Sequence, residues 1–317
     1  MQFSIRHIQE NGLDQVVLKD EKNGTEVALL AGHGATLHAF RVNLGGEAFN
    51  VIDGYKDGTD VENNMTRSYK GPKLSPFPCR IDSGKYSFGG NDYRFEKLFG
   101  DGQAIHGLLA EKSFRVLNEV ADDASASVSL EYVYKKEDKG YPFAYSCEAK
   151  YTLQSDNTLE VTTTVTNLDK VEIPIADGWH PYFTLGGSIA GWELQFHASA
   201  IVEFDSRLLP TGNLLQYTDF ETPRLIGDYF LDNCFTVKPG LVGAACEIFN
   251  PANGLRVSFF PEHSYPYLQI YTPATRDSIA VENLSSAPDA FNNKMGLVIL
   301  APGHSQIFTV RYKVSVG

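Results

Sequence analysis

Apolar and polar residues alternate along this chain with a period of two, most clearly in Leu159-Glu160-Val161-Thr162-Thr163-Thr164-Val165-Thr166 and in Gln306-Ile307-Phe308-Thr309-Val310-Arg311-Tyr312-Lys313-Val314. That is the period of a strand with one buried face. Tyr145 to Leu153 precedes the first of these runs across Ser155-Asp156-Asn157, and Lys85-Tyr86-Ser87-Phe88 precedes Asp92-Tyr93-Arg94-Phe95 across Gly89-Gly90-Asn91, so both read as hairpins. Further strands are predicted at Phe3 to Gln9, Val16 to Lys19, Glu26 to Leu30, Thr36 to Val42, Phe114 to Glu119, Ser127 to Tyr134, Leu255 to Phe260 and Leu297 to Leu300. No stretch of a dozen residues carries convincing i, i+3, i+4, i+7 apolar spacing. The class is therefore all-β, and sequential hairpins without βαβ alternation favour antiparallel sheets packed face to face. No low-complexity linker divides the chain, so residues 1–317 are expected to form one large β-sandwich domain. The turn-rich stretch from Asp53 to Phe77 reads as a functional loop leading up to Arg80.

Composition narrows the partners. With 27 basic and 39 acidic residues the net charge is −12, and no run of lysines or arginines could track a phosphate backbone, which argues against nucleic acid. The four cysteines, Cys79, Cys147, Cys234 and Cys246, include no CxxC pair and read as reduced thiols. The N-terminus lacks an apolar signal core and no apolar run approaches the ~20 residues that span a bilayer, so no membrane association and a cytoplasmic location are expected. A chain this long needs no metal or disulfide to hold a core. A monomer or homodimer is expected.

Five polar side chains stand out as candidate chemistry. His180 lies in Asp177-Gly178-Trp179-His180-Pro181-Tyr182-Phe183, where the following proline restricts it to extended backbone. Its ordinary pKa of ~6.5 suits an acid or a base, although a strand-end histidine bonded to a carbonyl is the simpler account. Trp179, Tyr182 and Phe183 offer apolar faces to a sugar, or simply fill the core. Glu282 ends the apolar run Ser278-Ile279-Ala280-Val281, where a carboxylate is costly unless paired or functional. Arg80 follows the two prolines of Pro76-Phe77-Pro78, and its planar fork suits hydroxyl oxygens as well as a surface ion pair. His106 precedes Gly107, which permits close backbone approach, and Asp232 could accept from hydroxyls or stand solvated in a loop. Dinucleotide, Walker, HExxH and Gly-x-Ser-x-Gly patterns are absent.

Taken in order, these segments resemble the aldose 1-epimerase (galactose mutarotase) family. The similarity begins at Asn23-Gly24-Thr25-Glu26-Val27-Ala28-Leu29-Leu30 and Gly34-Ala35-Thr36-Leu37, and runs through Pro76 to Tyr86 and Ile105-His106-Gly107. It continues through Gly178 to Phe183, Leu231-Asp232-Asn233-Cys234-Phe235, Val281-Glu282-Asn283 and Pro288-Asp289-Ala290-Phe291-Asn292. Cys79 stands where the family often has asparagine, Leu108 where glycine is usual, and Asn283 where proline is frequent.

The resemblance implies a large antiparallel β-supersandwich and a monosaccharide substrate with no cofactor and no metal. It implies Glu282 as base, His180 as acid, and Arg80, His106 and Asp232 as groups holding the ring and its hydroxyls. The expected reaction is interconversion of the α and β anomers of a free aldose. Three other readings stay open at this point. One is a hexose-6-phosphate 1-epimerase, which would need cations such as Arg67, Lys70 or Lys73 near the far end of the sugar, and another is a β-sandwich that binds carbohydrate without turnover. An Asp232–Glu282 carboxylate pair would suit a glycosidase instead.

Overall fold

The computed structural model describes residues 1–317 and is built almost entirely of antiparallel strands. The runs with the clearest period of two become its longest strands. Tyr145–Gln154 and Thr158–Asn167 pair as a hairpin with Gln154 opposite Thr158, and Asp156 and Asn157 take the positive φ values that Asp and Asn tolerate. Ser305–Val316 lies along the other edge of Thr158–Asn167. These strands form the middle of a nine-stranded sheet. The second predicted hairpin is also present, with Phe88 opposite Asn91 and Gly89 and Gly90 both at positive φ. This two-residue connection demands glycine or a close substitute.

An eight-stranded sheet packs against the nine-stranded one, and a five-stranded meander of residues 3–50 closes the molecule on one side. Alternate residues of both large sheets point into one core of 63 buried side chains, in which Phe183 of one sheet meets Phe259 of the other with ring centres 4.9 Å apart. Trp179 also belongs to this core, its ring 5.6 Å from that of Tyr151. All four cysteines are buried and unpaired. No helix is long and apolar enough to cross a membrane.

Two expectations are corrected. The stretch from Asp53 to Phe77 is not a loop throughout, because Gly58–Ser68 is an α-helix. The Asp57 side chain caps it by accepting from the Asp60 N–H, and Val61 and Met65, one turn apart, bury against Leu13, Leu30 and Tyr55. Two apolar positions in eleven residues are too few to register as a helical stripe. The second correction concerns residues 193–271, which hold seven strands that alternation did not reveal, among them Asp232–Val237 and Tyr267–Tyr271. Asp232 thus opens a strand and is half-buried instead of standing in a solvated loop.

Candidate active site

The eight-stranded sheet brings the site together. Asp232–Val237 pairs with Tyr267–Tyr271, which pairs with Ile279–Leu284, and the segment containing His180 lies along the far edge of that last strand. Cys234 sits opposite Gln269 and Gln269 opposite Glu282. Gly178 sits opposite Leu284 and Tyr182 opposite Ala280, so counting two residues inward from each pair sets His180 opposite Glu282. One row across the sheet therefore reads His180, Glu282, Gln269, Cys234. Two residues along, and so on the same face, a second row carries Tyr182, Tyr271 and Asp232.

Two further segments complete the pocket over this face. The short strand Arg80–Ile81 pairs with Ala104–Ile105, which delivers Arg80 and His106 from the opposite wall. Asp289 ties this wall down, its backbone N–H donating to the Arg80 carbonyl at 2.7 Å and its carboxylate accepting from the Asp82 N–H at 3.0 Å. Gly107 does allow a close backbone approach, but to the protein itself: a Cβ there would fall 2.2 Å from the Ser75 carbonyl oxygen, and its φ is +70°. Cys79 and His106 both adopt left-handed backbone and bond each other, the His106 N–H donating to the Cys79 carbonyl at 2.9 Å. Strain of this kind persists where the surroundings over-determine it.

All five candidate residues line a single cavity of about 280 Å³, near the lower end of the about 300–1,000 Å³ usual for small-molecule sites. Glu282, His180 and His106 form its floor, at 2 %, 6 % and 8 % exposure. His180 Nε2 lies 3.3 Å from Glu282 Oε1. The imidazole stacks on Tyr182 with ring centres 5.0 Å apart and meets the His106 ring edge-on at 4.9 Å, while its backbone carbonyl accepts from the Gly71 N–H. Of the three aromatics flanking His180, only Tyr182 faces the cavity, since Trp179 and Phe183 serve the core.

Burial dominates the electrostatics. It pushes the Glu282 carboxyl well above the ordinary range, helped by the Asp232 charge and opposed by Arg80. It pushes His180 down to about 4 and His106 well below its ordinary value. Asp232 is raised by burial and held back by Arg80 and by the Gln269 amide, which donates to it at 2.8 Å.

Several polar atoms in the cavity lack protein partners. Arg80 Nε, His180 Nδ1, Gln269 Oε1 and Glu282 Oε2 are buried without a hydrogen bond. Buried polar groups are normally satisfied, so four orphans on the residues lining one cavity point to a polar ligand rich in hydroxyls. Gln269 escaped the sequence reading. Its only signal was a polar residue between Leu268 and Ile270 in a short apolar run.

His106, His180 and Glu282 also have potential metal-ligating atoms within 4.8 Å of one another. The donor chemistry does not fit a metal. His106 Nδ1 accepts from the Cys79 N–H at 3.2 Å, so in the neutral ring the proton sits on Nε2, which faces the cavity as a donor and has no lone pair to offer a cation. Of the cations considered for a phosphate, Arg67 lines the cavity, whereas Lys70 is paired with Asp53 and Lys73 is fully buried against Asp177.

Comparison with known proteins agrees with this architecture. The family model described as aldose 1-epimerase matches residues 14–313. The uncharacterized protein YihR of Escherichia coli K12 is 28 % identical over 257 residues, covering 78 % of this chain and 80 % of the relative. An aldose 1-epimerase of Streptococcus thermophilus is 26 % identical over 333 residues, covering 93 % and 92 %. Among solved structures, a galactose mutarotase-like protein from Clostridium acetobutylicum superposes with a TM-score of 0.86 at 20 % identity, covering 99 % of this chain and 98 % of the other. Galactose 1-epimerase from Lactobacillus acidophilus gives 0.83 at 20 % identity, covering 100 % and 99 %. With a model matching nearly its whole length and a fold shared with the galactose mutarotases, the chain belongs to the aldose 1-epimerase family.

Proposed function

We propose that this site interconverts the α and β anomers of a free aldose by opening and reclosing the pyranose ring. The observation that carries the reading is the 3.3 Å contact between His180 and Glu282 on the cavity floor. Ring opening removes a proton from the anomeric hydroxyl and delivers one to the ring oxygen. Both oxygens are bonded to the same carbon, so the base and the acid must stand side by side.

Burial leaves this pair with one proton to share, resting on the carboxyl. Moving that proton to His180 yields a carboxylate and an imidazolium without changing the charge of the pocket. Hydroxyl donors from the sugar and the nearby Arg80 guanidinium favour this ionised form. Glu282 then takes the anomeric proton while His180 protonates the ring oxygen, giving the open aldehyde. Rotation about C1–C2 turns the other carbonyl face towards the hydroxyl, and the two residues exchange roles on reclosure. Arg80, the His106 Nε2–H, Asp232 and Gln269 supply donors and acceptors around the ring. No cofactor enters this chemistry.

Two observations favour this over the alternatives. The group beside Glu282 is an imidazole, whereas the Asp232 carboxylate is engaged by Gln269 and starts a strand two places away in the sheet, which disfavours a glycosidase pair. Besides Arg80, which this reading assigns to the sugar ring, a phosphate would find one further cation lining the cavity, Arg67, a sparse site for a dianion. Saturation-exchange NMR across common aldoses, with glucose 6-phosphate included, tests the proposal. Anomer exchange should be accelerated for at least one free aldose and abolished by Glu282→Gln. Acceleration that survives this substitution, or none with any sugar, overturns it.

A further inference from the structure

We propose that Lys73 is a positioning residue for the proposed acid: its buried ammonium grips the three residues that precede His180 and so fixes where the imidazole stands against Glu282. The inference rests on the anomerisation reading above and extends it to a residue that touches no substrate. Of the 27 lysines and arginines only Lys73 is buried, with 0 % of its surface exposed. The two-residue strand Lys73–Leu74 pairs with Gly178–Trp179, which sets Lys73 opposite Trp179. Its Nζ donates to Asp177 Oδ1 at 2.6 Å and to the Gly178 carbonyl at 2.8 Å, and it stands 4.3 Å from the centre of the Trp179 ring. One side chain thus holds Asp177, Gly178 and Trp179 in succession, and His180 is the next residue.

The strand ladder by itself holds His180 weakly. Pro181 has no N–H to give, and its carbonyl accepts from the Val281 N–H only at 3.4 Å. The His180 carbonyl is taken by the Gly71 N–H at 2.8 Å, two residues before Lys73. The backbone N–H of Lys73 donates in turn to the Gly34 carbonyl at 2.9 Å, so the grip is anchored in the meander of residues 3–50. Gly178 leaves no slack on the other side, where a Cβ would fall 2.7 Å from Leu284 Cδ2 and 3.1 Å from Pro78 Cβ.

Stability does not call for this pair. Desolvation of two buried charges roughly cancels their attraction, and apolar side chains of similar volume are often as stable or more so. A compact cation with three donors on a long stem can meet a carboxylate and a carbonyl at once. Methionine would fill much the same space and hold neither.

The test separates stability from positioning. In the double variant Lys73→Met with Asp177→Leu both charges are gone, and the melting temperature should return close to that of wild type. Its kcat in anomer exchange should nevertheless stay about 10–10²-fold below wild type with KM within about twofold, because the imidazole has shifted while the groups that hold the sugar have not. The His180 titration, followed by NMR without sugar and assigned by its loss in His180→Gln, should move up from about 4 towards the ~6.5 of a hydrated histidine. Glu282, His106 and Tyr182 face that ring, with Arg80 and Asp232 behind Glu282, and all five are unaltered in the variant. Tyr265→Phe removes the other donor to Asp177 Oδ1 and leaves the Gly178 link in place, so it should lower the melting temperature while kcat and the titration stay as in wild type. If the double variant does not fold, Lys73→Gln carries the same expectation for kcat and titration, its side chain being one atom too short to hold both Asp177 and Gly178. A kcat that recovers together with stability, or a His180 titration unchanged in the folded variants, overturns the assignment. Should wild type turn over no sugar, the anomerisation reading fails, and the His180 titration still decides whether Lys73 positions the ring.

Discussion

His180 Nε2 and Glu282 Oε1 lie 3.3 Å apart on opposed positions of one antiparallel strand pair, both out of contact with bulk water. Their pH behaviour therefore belongs to the pair. The proposed mechanism requires the state holding one proton between them. With Glu282 raised and His180 lowered to about 4 by burial, acidification adds the second proton only as the pH falls through about 4, and no base then remains. The acid limb of kcat/KM should fall near about 4, well below the ~6.5 of an ordinary histidine. The alkaline limb, where the carboxyl loses its proton, should lie above the usual carboxylate range. An acid limb at about 6–7 would contradict this account of the floor.

Replacing the acid alone should separate chemistry from binding. His180→Gln keeps a polar group stacked near Tyr182 but cannot carry a proton to the ring oxygen. It should lower kcat by about 10²–10⁴ with little change in KM, measured by polarimetry.

Gln269 links the proposed base and the proposed hydroxyl acceptor, standing opposite Glu282 and donating to Asp232 at 2.8 Å. Gln269→Leu removes that donor and the unpartnered Oε1. KM should rise about tenfold, the loss of roughly one net hydrogen bond, while the melting temperature stays close to wild type.

Gly107 tests how the His106 wall is held. Alanine at this position meets the Ser75 carbonyl at 2.2 Å and must adopt φ near +70°. Gly107→Ala should cost about 1–3 kcal/mol in urea unfolding and raise KM as His106 is displaced, whereas Gly90→Ala, with nothing within 4 Å, should leave KM unaltered.

Lys73 and Asp177 form an ion pair with neither side chain exposed, at 2.6 Å, and Tyr265 donates to the same carboxylate oxygen at 2.7 Å. Lys73→Met strands the carboxylate and should destabilise the fold by about 3–5 kcal/mol in equilibrium unfolding. Lys73→Met combined with Asp177→Leu removes both charges and should recover most of that loss. Additive destabilisation by the two substitutions would show that the charges are not paired in solution.

Much of this protein can be read from its chain. A period of two in Leu159 to Thr166 and Gln306 to Val314 gave the all-β class, because side chains on an extended backbone alternate faces whatever lies nearby. Asp156-Asn157 and Gly89-Gly90 marked their turns through the backbone they tolerate. The polar residues Arg80, His106, His180, Asp232 and Glu282 stood out by residue type and by the resemblance they carry, and the fold gathers all five around one cavity. Helix Gly58–Ser68 stayed hidden because Val61 and Met65 are its only buried residues.

What tertiary structure alone decided is the company each residue keeps. Local pattern gave Trp179, Tyr182 and Phe183 equal claims on a ligand, and strand alternation sent the first and third into the core and only the second into the cavity. Gln269 became a neighbour of Glu282, and Lys73 was drawn inside against Asp177, through pairings between strands far apart in sequence. The alternation of one strand is a local property of its backbone. The register between distant strands is fixed by how whole sheets pack, and that register, setting His180 opposite Glu282, is what turns separate polar residues into a site.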